Sequence, residues 1–306
     1  MEIELSATHP TFVQSQLDQS SILTRQFAHR AVRAGVRSRQ DTLFASPQFA
    51  SKLLRQDHLN VVEFYRVTRD IGAACKDRLH ARKLANAWKR EINAIYSGVP
   101  AHPLCTSLCD TVSRRDIPIL HFTALSETLI QDWACSPFDS ATEAFTVYTR
   151  AADSLAAMFL AVHGETEPKL HRSVAMLWRD LIHTDRLRNI SAELDYGRHC
   201  LARRDLDLFG VHSTIKSGDS TPSLSSLIQC EAAILSGSLA SAALPDECFL
   251  SKSLPNELNG YRRRAEAVLD RIALAPSSVL SSEPRLSILT HYSERVFRAI
   301  IGIANR

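Results

Sequence analysis

The sequence predicts an all-α protein, a bundle of helices, on three observations. Gly and Pro are sparse, 10 and 12 in 306 residues, while Ala, Leu and Arg are abundant, a balance that favours helix over sheet. Long stretches space apolar residues three and four apart, and no stretch alternates with the period of two that a half-buried strand needs. With 45% hydrophobic and 23% charged residues the chain is globular, and no internal repeat marks a solenoid.

Taken in order, residues 1–20 are polar and irregular and read as a loose arm, and residues 21–306 read as one all-α domain. From Ser21 to Arg39 the pattern is helical. Arg25, His29, Arg33 and Arg37 recur every four residues, with Arg30 beside them, and form a basic face. Such a face is ordinarily a solvated surface; its functional counterpart is a surface that attracts phosphate or an anionic membrane. Helical periodicity continues over 47–75, 79–97, 104–113, 121–133, 140–163, 168–194, 223–241, 256–273 and 283–303. Punctuation falls between these segments: Ser97-Gly98-Val99-Pro100, Ser136-Pro137, Gly164, Gly210 and the Ser-rich run Ser217–Ser226. Residues 212–222 read as a mobile loop.

Several function classes are excluded early. Net charge is +3, from 36 Lys and Arg against 33 Asp and Glu, too small a field to imply nucleic acid. The basic face carries one interleaved aromatic, Phe27, where a nucleic-acid platform would carry several. Seven Cys scatter along the chain; Cys105 and Cys109 lie one helical turn apart without a second pair at metal-ligand spacing. Reduced thiols in a cytoplasmic protein are expected. MEIELSATHP shows no basic-then-apolar signal pattern, and the apolar stretch near Leu155–Val162 is too short to span a bilayer. Phosphate-cradling glycine loops, GxGxxG, HExxH and GxSxG are missing.

One constellation remains, in HTDRLRNISAELDYGR at 183–198. Asp185, Asn189 and Glu193 stand at i, i+4 and i+8, which stacks them on one face of a continuous helix. Three oxygen-bearing side chains in a row suit a hard cation such as Mg²⁺. Arg186, Arg188, Tyr196 and Arg198 stand where they would hold phosphate oxygens. The competing reading is a solvated helix face with ordinary i,i+4 pairs.

Five segments together resemble the squalene/phytoene synthase family. FYRVTRDIGAA at 64–74 is similar to its first aspartate-rich helix, with Phe64, Arg66, Val67, Asp70 and Ile71 in register. WKREINAIYSGVPAHPL at 88–104 resembles its W-x-x-E-L-x-x-x-Y-x-G-x-P-x-H-P segment. YTRAADSLAAMFLAVHG at 148–164, LRNISAELDYGRHCLARRDLDLFGV at 187–211 and the C-terminal Tyr261, Arg264, Ala265 and Tyr292 follow in family order. The resemblance implies an isoprenoid-synthase fold around a central cavity. It implies two aspartate-rich helices facing each other, with Mg²⁺ ions holding prenyl diphosphates between them.

Departures from the family pattern are specific. The metal-binding carboxylates of the first motif fall at positions 69 and 73, which here are Arg69 and Ala73. The second motif keeps two carboxylates and an amide in shuffled order, which also resembles the metal triad of terpene cyclases. Asp153, Ser154 and Trp178 stand where the family has small residues and should alter or shrink the cavity. Cys200 and Ala202 replace the Tyr and Pro that usually follow Gly197-Arg198.

Two functions follow from the resemblance. In the first, a divergent prenyltransferase or cyclase acts on an isoprenoid diphosphate. Tyr148, Asp153 and Arg69 take part in catalysis; Arg66, Arg69, Asp70, Arg188, Tyr196 and Arg198 bind substrate; Asp185, Asn189 and Glu193 hold Mg²⁺, with fewer ions than the family uses. In the second, an inactive member serves as a binding or assembly partner. A cytoplasmic location is expected, with peripheral membrane contact left open, no nucleic-acid partner, and no oligomeric state specified.

Overall fold

The computed structural model describes residues 25, 26, 28, 29, 32, 43, 52–73, 75, 77–132, 137–194, 198–217, 220–242 and 249–280. Among the described residues every regular element is helical, and no helix is long and apolar enough to cross a membrane. The expected arm at 1–20 and helix at 283–303 lie outside the described residues, as do Arg30, Arg33, Arg37, Tyr196 and Tyr292.

The helices are α1 (Lys52–Ala73), α2 (Arg78–Ser97), α3 (Pro103–Arg115), α4 (Ile119–Glu127), α5 (Ala141–His163), α6 (Pro168–Arg188), α7 (Ile190–Leu194), α8 (Arg203–Phe209), α9 (His212–Ser217), α10 (Pro222–Ser241) and α11 (Leu254–Leu274). Local chemistry sets many of the ends. Asp77, Ser140 and Thr221 accept the exposed amides of His80, Glu143 and Leu224, the usual work of an N-cap. Gly98, Gly164 and Gly210 close α2, α5 and α8 with positive φ, the conformation that glycine adopts without a steric penalty. Pro103, Pro168 and Pro222 open α3, α6 and α10.

Three expectations need correction. Residues 168–194 are not one helix: α6 ends at Arg188, Asn189 is its C-cap with φ −106°, and α7 starts afresh at Ile190. Residues 212–217 are helical, and Thr221 caps the next helix, so the expected loop over 212–222 is mostly structured. The basic face is no open anion surface at its two described members. Arg25 and His29 bind the Asp110 carboxylate at 3.0 and 3.3 Å.

The buried apolar side chains form one contiguous core. Helices α1, α5, α6 and α11 converge on its centre, where Phe159, Trp178 and Tyr261 pack at centroid separations of 5.3–6.1 Å. Such offset and edge contacts add to the burial of the rings themselves. A second seam joins α1 to α3. There the fully buried Asp57 accepts from Thr111, Arg114 and Arg115, and Asn60 binds Ser107 and Thr111.

Candidate functional site

The second family-like segment is scaffolding. Trp88 on α2 stacks on Phe64 of α1 and donates to Thr68 Oγ1 at 3.0 Å. Glu91 is buried and accepts the Ala101 and His102 amides at 3.1 and 2.9 Å, which holds the turn between α2 and α3. His102 in turn caps α3 through its ring, Nδ1 accepting from Leu104 N. Burial pulls its pKa to about 4, so the ring is neutral and free to accept.

Gly72 explains the small residues after Asp70. A Cβ built there would lie 2.1 Å from the Leu129 carbonyl oxygen. α1 therefore crosses the turn at Thr128–Asp132 at backbone contact, which only a residue without a Cβ permits.

The C-terminal halves of α1 and α6 face each other, and their polar groups meet at Asp185. This carboxylate has no solvent exposure. Its Oδ2 accepts from Arg69 Nη1 at 2.5 Å and from the Tyr65 hydroxyl at 3.1 Å. Its Oδ1 accepts from Arg188 Nη2 at 2.8 Å and from Asn189 Nδ2 at 3.1 Å. A carboxylate offers about four lone-pair positions, and here four donors occupy them. Arg69 uses its remaining edge on Asp70, with Nε and Nη2 at 3.1 and 2.9 Å from Oδ1.

Mg²⁺ does not fit this donor set. Asp185 has no open lone pair, and its neighbour Asn189 presents the donor end of its amide, bonding the Asp185 carbonyl and carboxylate. The break at Asn189 also interrupts the helical face that was to carry Glu193 alongside it. The side chain of Glu193 lies outside the described residues. Arg69 supplies positive charge to this carboxylate.

The other sequence-selected residues divide clearly. Tyr148 is buried beside this cluster and accepts from Arg186 Nη1 at 3.1 Å. Arg66 is fully buried, with Nη1 3.6 Å from Glu63. Arg198 donates to the backbone carbonyls of Ala73 and Cys75, a cation at the negative end of α1. Asp153 is exposed on the outer face of α5, where its backbone carbonyl accepts from His171, and helical phase carries its side chain away from Tyr148. Sequence reasoning missed Tyr65 as a ligand of Asp185. Its place one turn before Arg69 was the available signal.

Where these helices converge, Tyr65, Leu155, Phe159, Trp178 and Leu181 each retain 0% exposure. Trp178, the bulky replacement noted in the sequence, stands at the middle of this packing.

Known proteins place this architecture. A family model described as squalene/phytoene synthase matches residues 36–290. A crystal structure of the squalene synthase HpnC from Alicyclobacillus acidocaldarius superposes with a TM-score of 0.65 at 21% identity, covering 82% of this chain and 94% of that one. A dehydrosqualene synthase in complex with ligand gives 0.69 at 15% identity, covering 91% and 98%. YisP from Bacillus subtilis subsp. subtilis strain 168 gives 0.62 at 12% identity, covering 89% and 98%. No curated protein matches the sequence.

Proposed function

Given that the chain belongs to the squalene/phytoene synthase family, we propose that it is a member without metal-driven diphosphate ionisation, acting as a binding or assembly partner. One observation carries the reading: Asp185 is buried with four donors on its two oxygens, and one of them is the Arg69 guanidinium. In the family, Mg²⁺ at this mouth would stabilise the departing diphosphate. Here a guanidinium neutralises the carboxylate, and the bulky Trp178 is packed into the core; both support a helical scaffold that no longer runs the metal-driven reaction.

The test uses the wild-type chain with Mg²⁺ and farnesyl diphosphate, reading diphosphate release and melting temperature together. Ligands that bind only the folded state raise its melting point. No release and no joint shift are expected. Magnesium-dependent release would overturn the proposal.

A second reading has an observation of its own. Around the facing ends of α1 and α6, Arg66, Arg69, Arg186, Arg188 and Arg198 outnumber Glu63, Asp70 and Asp185. A surplus of guanidinium groups suits an isoprenoid diphosphate held without metal, as in a divergent transferase. Arg69→Ala separates the two readings by titration calorimetry in EDTA. Under the second reading it weakens farnesyl diphosphate binding roughly ten- to a hundredfold; under the first, neither protein binds.

A further inference from the structure

At the opposite end of α1 from Arg69, a second polar cluster lies inside the core. His58 of α1, His163 at the end of α5 and Glu257 in the first turn of α11 converge there. Their side chains are 0–1% exposed. His58 Nδ1 and His163 Nε2 lie 3.0 and 3.4 Å from Glu257 Oε2. Despite these distances, neither nitrogen and neither carboxylate oxygen makes a hydrogen bond. The carboxylate and the two inner ring nitrogens therefore converge on one buried point. Leaving a buried carboxylate in that condition costs several kcal/mol unless a cation joins it.

The outer edges of both rings are engaged. His58 Nε2 is 2.5 Å from the Tyr261 hydroxyl, and His163 Nδ1 is 3.4 Å from Ser251 Oγ. A hydroxyl can accept a proton from each outer nitrogen, and in that tautomer both inner lone pairs face Glu257. That is the usual support for a metal-bound imidazole. Ligands about 2.0–2.1 Å from a tetrahedral zinc ion stand about 3.3 Å apart, close to the two measured separations. Arg264, the nearby cation, sits over the Tyr261 ring and donates to the Leu43 carbonyl.

We propose that His58, His163 and Glu257 form a structural site for a divalent transition metal, of which zinc fits best. Two imidazoles and a carboxylate suit Zn²⁺ better than Mg²⁺ or Ca²⁺, which prefer oxygen alone. Glu257 fills the site through one or both oxygens. No substrate reaches it, so the ion ties α1, α5 and α11 together and performs no chemistry. The site is independent of the Asp185 cluster and of the function proposed for it.

The untagged full-length chain, purified from cells grown with zinc, should carry about one zinc ion per molecule by mass spectrometry. Removing the ion with a chelator should lower the melting temperature. Adding Co²⁺ to the metal-free protein should produce the visible absorption of a low-coordinate cobalt site. Glu257→Gln preserves side-chain shape and should cut bound metal by more than about tenfold, with helicity checked by circular dichroism. His163→Ala should do the same. A folded wild-type protein with no zinc and no cobalt absorption would overturn the proposal and leave a buried ion pair. Metal retained in both variants would place it elsewhere and overturn the proposal equally.

Discussion

Arg69 was legible as an oddity in the sequence, but its partner was not. Asp185 lies 116 residues away, and reading it as a metal ligand assumed a helix unbroken at Asn189. The local rule of i,i+4 spacing was sound; the helix end that interrupts it came from tertiary packing. Because the pair is buried, its removal should be costly and non-additive. Asp185→Asn leaves Arg69 and Arg188 facing each other and should cost about 3–5 kcal/mol. Arg69→Met should cost about 1.5–3 kcal/mol. The double variant should lose clearly less than their sum. Urea unfolding of all three decides this, and strict additivity would mean that the pair does not couple. A second residue gives a pH signature. Burial is the largest influence on Glu231, Asp205 adds to it, and together they push its pKa up to about 7 from 4.5. The His183 ring 3.7 Å away is neutral, lowered to about 3 by burial. A raised folded-state pKa means that stability is fully present below the unfolded value and is lost as pH rises through the folded one. Glu231→Gln should therefore melt close to wild type at pH 4 and above it at pH 8. Parallel curves across that range would show that the carboxylate is not buried in its charged form.

At the level of the element, helix positions were the most readable feature. Gly98, Gly164 and Gly210 ended helices as expected, and Ser140 started one. The short α8 and α9 escaped notice, since seven and six residues are too few to display a period. The role of Gly72 was equally hidden. Sequence offered a glycine in the last turn of a helix, where it reads as ordinary punctuation. Only the crossing with the Leu129 carbonyl shows why it is kept. Gly72→Ala should reverse the propensity gain and destabilise by about 1–3 kcal/mol, because one backbone must move away from another. Thermal unfolding checks it; an unchanged or higher melting temperature would mean that α1 can shift at little cost.

Across the whole molecule, α1 joins two polar clusters: His58, against which the Phe159 and Tyr261 rings pack, toward one end, and Arg69 toward the other. The family resemblance announced the helices that build this arrangement and the departures that modify it. It did not announce which rings would pack against one another, because that depends on how helices distant in sequence meet. Trp178→Ala should remove a large buried ring and cost about 3–5 kcal/mol. The void it leaves is apolar and should accept a prenyl alcohol that the wild type refuses, read by calorimetry or by intrinsic fluorescence of the remaining tryptophans. Failure of the variant to bind, while folded, would mean that neighbouring side chains collapse into the space.

The pairing of Arg69 with Asp185 has a further consequence for how such a mouth responds to its surroundings. A dissolved magnesium ion occupies a site according to its concentration, and a chelator empties it. A guanidinium carried on α1 of the same chain is present beside Asp185 at a fixed effective concentration that dilution does not change. A metal-bridged mouth is thus a two-state device, set by ion and diphosphate. On the proposed reading this mouth carries its counter-ion in the polypeptide, and its melting temperature should not respond to magnesium.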